Sequence, residues 1–93
     1  MPTVWIPAPL RELTGGERVV VVPGTTVREV IRNLDARFPG LRERLCEVDE
    51  AGEQISPHIT IAIDGVAAHH GLLTPVAEAS EIHILPAIGG GAC

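Results

Sequence analysis

Thr26-Val27-Arg28-Glu29-Val30-Ile31-Arg32-Asn33-Leu34-Asp35-Ala36-Arg37-Phe38 is the longest stretch of the chain with a helical period. Val27, Val30, Ile31, Leu34 and Phe38 recur at offsets of 3, 4, 7 and 11, which lays them along one face of an α-helix. Arg28, Glu29, Arg32, Asp35 and Arg37 fall on the other face. Thr26 with Glu29 three residues later is a capping-box pattern, in which the hydroxyl and the carboxylate satisfy the unpaired amides of the first turn. Pro39 and Gly40 stop the helix, and Leu41 with Leu45 starts a short second helical turn.

The flanking segments read as strands. Residues 3–6 read as a strand that Pro7 and Pro9 end. Residues 17–22 hold the β-branched run Val19-Val20-Val21-Val22, and the turn Thr14-Gly15-Gly16 joins the two segments as a hairpin. Beyond the helix, residues 47–57 are acidic and rich in turn formers, which predicts an exposed loop. Its Glu47, Asp49, Glu50 and Glu53 are expected to be solvated, with no partner and no catalytic role. Residues 58–63 place Ile59, Ile61 and Ile63 on one face and His58, Thr60 and Ala62 on the other. Asp64-Gly65 is a hairpin turn signal that leads into a short strand at 66–68. The final strand, 81–86, turns Ile82 and Ile84 inward and Glu81, His83 and Leu85 outward. The order β-β-α-β-β-β predicts an α+β domain, a mixed sheet with one main helix packed on one face. The domain spans residues 1–86, and residues 87–93 form a glycine tail that is expected to be flexible.

A single covering helix leaves the other face of the sheet free. Leu85 is the apolar exception among its outward residues, and Thr60 and Ala62 leave room around it. Leu85, His83, Thr60 and Ala62 are therefore the expected docking surface for a protein partner.

Composition narrows the function classes. The 93 residues make one domain, with 45% hydrophobic and 20% charged residues. Trp5 and Phe38 are the only aromatics, so the core must come from Val, Ile, Leu and Ala. The net charge is -5, from 12 acids against 7 arginines, with no lysine. No basic stripe is available for nucleic acid, and no cationic helix for a membrane surface. No apolar run approaches a membrane span, and the N-terminus lacks the pattern of a signal peptide, so a cytoplasmic protein is expected. His58, His69, His70 and His83 lack metal-ligand spacing; His69 and His70 are adjacent, and no metal site is expected. Cys46 reads as a small buried apolar residue.

Two pieces of sequence carry a resemblance. The more specific is Ile84-Leu85-Pro86-Ala87-Ile88-Gly89-Gly90-Gly91; the other is His70-Gly71-Leu72-Leu73-Thr74-Pro75-Val76, ahead of the last strand. With the β-β-α-β order they resemble the β-grasp, ubiquitin-like sulfur carriers of the ThiS/MoaD type, over essentially the whole chain. The resemblance implies a protein co-substrate rather than an enzyme, with no cofactor of its own. An activating enzyme would use ATP to adenylate a terminal glycine carboxylate, and a sulfur donor would convert it to a thiocarboxylate. A sulfur-accepting enzyme would then use it to make cysteine, a related amino acid or another sulfur-containing metabolite. Gly91 is the expected attachment point, with Gly90 the alternative one residue earlier. Gly89 and Gly90 would thread the narrow approach to the partner's active site, since they have no Cβ. Ala87 to Gly91 reach about 17 Å at most when extended. Ala92 and Cys93 depart from the family pattern, and the resemblance implies their removal by a zinc peptidase of the JAMM type. A competing reading makes Cys93 itself the carrier, as a persulfide. Two other functions remain open: small subunit of a molybdopterin synthase, and ubiquitin-like protein modifier.

Overall fold

The computed structural model of the chain describes residues 1–86. The expected tail, residues 87–93, lies outside the described residues, and so does its proposed role.

Seven strands and two α-helices follow in the order β1 (Thr3–Trp5), β2 (Val19–Val21), α1 (Val27–Arg37), α2 (Leu41–Leu45), β3 (Cys46–Asp49), β4 (Gly52–Ile55), β5 (Ile59–Ile63), β6 (Val66–Ala67) and β7 (Glu81–Pro86). Two 3-10 turns, Ala8–Leu10 and Gly71–Leu73, interrupt the connections. Five strands form one mixed sheet in the order β2-β1-β7-β5-β6. The first and last long strands lie side by side and parallel, with Val4 opposite Ile82; every other pair in this sheet is antiparallel. This is the expected α+β, β-grasp arrangement.

The helix begins where its sequence says it should, by a slightly different device. Thr26 is the N-cap, and its hydroxyl accepts from the Glu29 amide at 3.3 Å. The Glu29 carboxylate reaches past Thr26 to Thr25, accepting from the Thr25 amide at 2.8 Å and the Thr25 hydroxyl at 2.9 Å. Those two hydrogen bonds stabilise the ionised form and hold the Glu29 carboxyl below its ordinary value. At the far end, Gly40 takes a left-handed φ of 104°. Asp35 then accepts from the amides of Gly40 and Arg42, each at 3.1 Å, so one carboxylate ties the end of α1 to the start of α2.

α1 sets Val27, Val30, Ile31 and Leu34 against the inward residues of the sheet: Val4, Ile6, Val20, Val22, Ile61, Ile82 and Ile84. Leu41 and Leu45 of α2 close the same core, at 0% exposure each. The core is aliphatic throughout, as the scarcity of aromatics requires. Phe38 lies partly buried at its margin beneath the Arg37 guanidinium, 5.3 Å from the ring centre. Among the described glycines, Gly24 has the least room for a side chain: an added Cβ would lie 2.7 Å from Val30 Cγ2 and 2.9 Å from the Val30 amide nitrogen.

The acidic segment corrects an expectation. Residues 47–57 are not a loop: β3 and β4 form a separate antiparallel hairpin, with Cys46 opposite Ile55 and Asp49 opposite Gly52. Its base is held by apolar anchors, Cys46 buried and Ile55 packed on the core, and by the Ser56 amide bonding to the Leu45 carbonyl at 2.8 Å. Asp49 closes the turn by accepting from the Ala51 amide at 2.8 Å, and Gly52 supplies a φ of 111°. Glu47, Asp49 and Glu50 are exposed, and Asp49 also accepts from the Gln54 side-chain amide. Glu53 pairs with Arg42 of α2, a partner the sequence reading did not assign.

Candidate functional site: the open face of the sheet

β7 carries the chain along the middle of the sheet and ends at Pro86, where the glycine segment follows. Alternation on this strand is as expected, with Ile82 and Ile84 buried and Glu81 and Leu85 exposed. Register then brings the four expected docking residues together. In the β5–β7 pair, Thr60 lies opposite Leu85 and Ala62 opposite His83. Leu85 is 45% exposed, while Thr60, Ala62 and His83 are half-buried.

The surface is wider than those four residues. Trp5 of β1 sits beside His83, and the two rings stack 5.5 Å apart with only 3° between their planes. Val19 of β2 lies opposite Trp5, and Ala67 of β6 opposite Ala62. One row therefore crosses all five strands: Val19, Trp5, His83, Ala62, Ala67. Val21 and Leu85 flank it, and Trp5 and Val21 are exposed at 41% and 44%. The sequence reading missed Trp5, Val19 and Val21. The signal for Trp5 was present, since the alternation Thr3-Val4-Trp5-Ile6 buries Val4 and Ile6 and turns Trp5 out. For the valines it was hidden, because an unbroken run of four shows no alternation.

At the end of β7 the face meets a groove of about 430 Å³ whose lining includes Pro7, Leu10, Ile59, Leu85 and Pro86. Exposed Glu43, Arg44, Glu47 and His58 border it. Nothing here resembles a nucleophile with its base. Burial, reinforced by the negative charge of Glu53, pushes the Cys46 thiol up to about 11, which leaves it protonated and unreactive at neutral pH. Among the described residues, no three His, Cys, Asp or Glu side chains gather as a metal site would require, and no helix is long and apolar enough to cross a membrane. Gly89, Gly90, Gly91, Ala92 and Cys93 lie outside the described residues. What the described part offers is a shaped apolar surface that ends at the start of the glycine segment.

Comparison with known proteins agrees with this geometry. The ThiS family model matches residues 4–91. The sulfur carrier protein CysO of Mycobacterium tuberculosis is 37% identical over 90 residues, covering 96% of this chain and 97% of the relative. The crystal structure of M. tuberculosis CysO superposes with a TM-score of 0.87, at 34% identity, covering 94% of this chain and 99% of that one. The crystal structure of the BexX/CysO complex of Amycolatopsis orientalis also matches, with a TM-score of 0.84, at 34% identity and covering 94% and 96%. Small archaeal modifier protein 3 of Haloferax volcanii is 30% identical over 88 residues, covering 90% of this chain and 91% of the relative. With the family match spanning nearly the whole sequence and the fold shared with these carriers, the chain belongs to the ThiS family of ubiquitin-like, β-grasp sulfur carriers.

Proposed function

We propose that this protein carries sulfur as a thiocarboxylate on Gly91 and delivers it for the biosynthesis of cysteine, a related amino acid or another sulfur-containing metabolite. The observation that carries the reading is positional. β7 brings the chain to Pro86 at the border of an exposed apolar face, and three glycines follow within five residues. A relative of matching length named a sulfur carrier protein supports the same reading.

The chemistry divides between carrier and partner. A carboxylate is a poor electrophile, so the activating enzyme must first join the Gly91 carboxylate to the α-phosphate of ATP, with pyrophosphate leaving. Hydrosulfide then attacks the acyl carbon of the adenylate. The C–S bond forms, the C–O bond to AMP breaks, and the thiocarboxylate remains. The carrier contributes docking through Leu85, His83, Thr60 and Ala62, enlarged by Trp5 and the two valines. It also contributes a slim end, because Gly89 and Gly90 can pass where a side chain cannot. Ala92 and Cys93 must be removed first, by a zinc peptidase of the JAMM type, since only a free Gly91 carboxylate can be adenylated. ATP is the activating enzyme's substrate and not a ligand of this chain.

The similarity to an archaeal modifier protein favours one second reading, conjugation of the same glycine carboxylate to lysines of other proteins. Both readings need adenylation, so they separate only after it. Incubation of a chain ending at Gly91 with activating enzyme and ATP should support pyrophosphate exchange. A chain ending at Pro86 should support none. Equal exchange by the two would remove Gly91 from the mechanism. A ladder of lysine conjugates in cell extract, without a thiocarboxylate, would favour the modifier.

A further inference from the structure

The main sheet has two edges, and they differ in kind. β6 is two residues long, a poor template for another strand. β2 forms the opposite edge, within the uncharged β-branched run Val19-Val20-Val21-Val22. Pairing with β1 fixes its backbone directions. The Ile6 amide donates to the Arg18 carbonyl at 2.8 Å, and the Val22 amide donates to the Pro2 carbonyl at 3.2 Å. Arg18, Val20 and Val22 therefore turn their backbone groups toward β1. Val19 and Val21, the alternate residues, turn theirs to the open edge, with side chains 36% and 44% exposed. An edge of this kind invites a strand from another molecule.

Two side chains of α1 reach it. Arg37 Nη1 donates to the Val21 carbonyl at 3.1 Å. The same guanidinium lies over the Phe38 ring, 5.3 Å from its centre, which holds its orientation. Asn33 Nδ2 donates to the Pro23 carbonyl at 2.7 Å, and Pro23 has no amide hydrogen to offer a neighbour.

We propose that Arg37 and Asn33 close the β2 edge against strand addition by a second copy of this chain. β2 is its own complement. With Val19 of one copy opposite Val21 of the other in an antiparallel pair, every outward amide and carbonyl finds a partner. That pairing needs the Val21 carbonyl as an acceptor, and Arg37 already holds it. Each copy would also bring its Arg37 charge to the shared edge, where like charges repel. The closure stands on this geometry alone. Its consequence rests on the carrier reading: a chain kept from pairing leaves Val19, Trp5 and Val21 available to a partner enzyme.

Sedimentation equilibrium with amide hydrogen exchange on the full chain tests this without any enzyme or ATP. In the parent chain the Val19 and Val21 amides should exchange at a rate independent of concentration. Arg37→Ala combined with Asn33→Ala should self-associate at least tenfold more tightly than the parent. Its Val19 and Val21 amides should gain protection as concentration rises. Val19→Pro added to that variant should reverse the association, because it removes an outward amide that β1 does not use. Arg37→Ala alone, at an exposed helix position, should show the same change in smaller measure, and it decides the matter if the double variant fails to fold. Self-association equal to that of the parent would overturn the proposal. So would tighter association that Val19→Pro leaves intact, which would place the contact on the apolar face instead. A parent chain already paired through the Val19 and Val21 amides would overturn it too. None of these readouts involves sulfur transfer, so the proposal and the carrier reading fail separately.

Discussion

The two faces of the main sheet are built from similar residues and meet different fates. Val4, Ile6, Val20, Val22, Ile82 and Ile84 point one way and are at most 3% exposed. Val19, Val21, Trp5 and Leu85 point the other way and remain between 36% and 45% exposed. Burying the second set would gain as much per unit area as burying the first, yet no element of the described chain covers it. Hydrophobicity on the inward face buys the fold. On the outward face it is left exposed around the Trp5–His83 stack, as the proposed docking surface requires. Apolar character alone does not tell the two roles apart; parity along the strand does.

The comparison breaks first on the inward side. Ile84→Ala, one residue before Leu85, should lower unfolding free energy by about 2–5 kcal/mol, because it opens a cavity in the buried core. Chemical denaturation reads this as an earlier midpoint at unchanged slope. Gly24→Ala should cost about 1–3 kcal/mol, since the new Cβ collides with the Val30 side chain and backbone and the first turn of α1 must give way. Stability equal to that of the parent chain in either variant would show that the inward face is not packed as described.

On the outward side the expected loss moves from stability to binding. Leu85→Arg should change unfolding free energy by no more than about 0.5 kcal/mol. It should weaken affinity for the activating enzyme at least tenfold, or about 1.4 kcal/mol. Titration calorimetry beside a melting curve separates the two effects. Unchanged affinity would mean that the exposed apolar face is not the docking surface.

The smallest effect concerns the helix start that holds the inward face in place. Two hydrogen bonds from Thr25 keep the Glu29 carboxyl below its ordinary value of 4.5. A depressed folded value means that the contribution is present above 4.5 and is lost as pH falls through the folded value. Glu29→Gln should therefore remove part of the acid dependence of stability below that pH and leave the slope near pH 7 unchanged. An identical acid limb in the two proteins would assign that dependence to other carboxylates.

The main helix, the five strands of the sheet and the hairpin turn at Asp64-Gly65 were legible, because each rests on local period or turn chemistry. Asp64 and Gly65 adopt φ values of 52° and 86°, as such a turn demands. The β3–β4 hairpin was not legible. Its sequence is dominated by acids, which disfavour strands, and its stability comes from Cys46 and Ile55 meeting a core that is distant in sequence. Asp35 looked like one more polar-face residue, because its partners lie beyond Pro39, across a break in the helix. At the site, Leu85, His83, Thr60 and Ala62 could be grouped from strand parity. The outward direction of Trp5 could be read from local alternation, but its place beside His83 follows only from the parallel β1–β7 pairing, a long-range contact.

The central claim is that this face presents the protein and the Gly91 carboxylate performs the chemistry. Intact-mass spectrometry tests it most directly, on the chain ending at Gly91 and on the chain continuing through Ala92 and Cys93. Each is incubated with activating enzyme, ATP and sulfide. The chain ending at Gly91 should gain the mass difference of one sulfur replacing one oxygen. The longer chain should stay unchanged until the trimming peptidase is added. A longer chain that gains one whole sulfur when a polysulfide replaces sulfide as donor, its terminal sulfane sulfur passing to the Cys93 thiolate as the shortened polysulfide leaves, beside a Gly91-terminated chain that stays inert with sulfide, would contradict the account and place the sulfur on Cys93 as a persulfide.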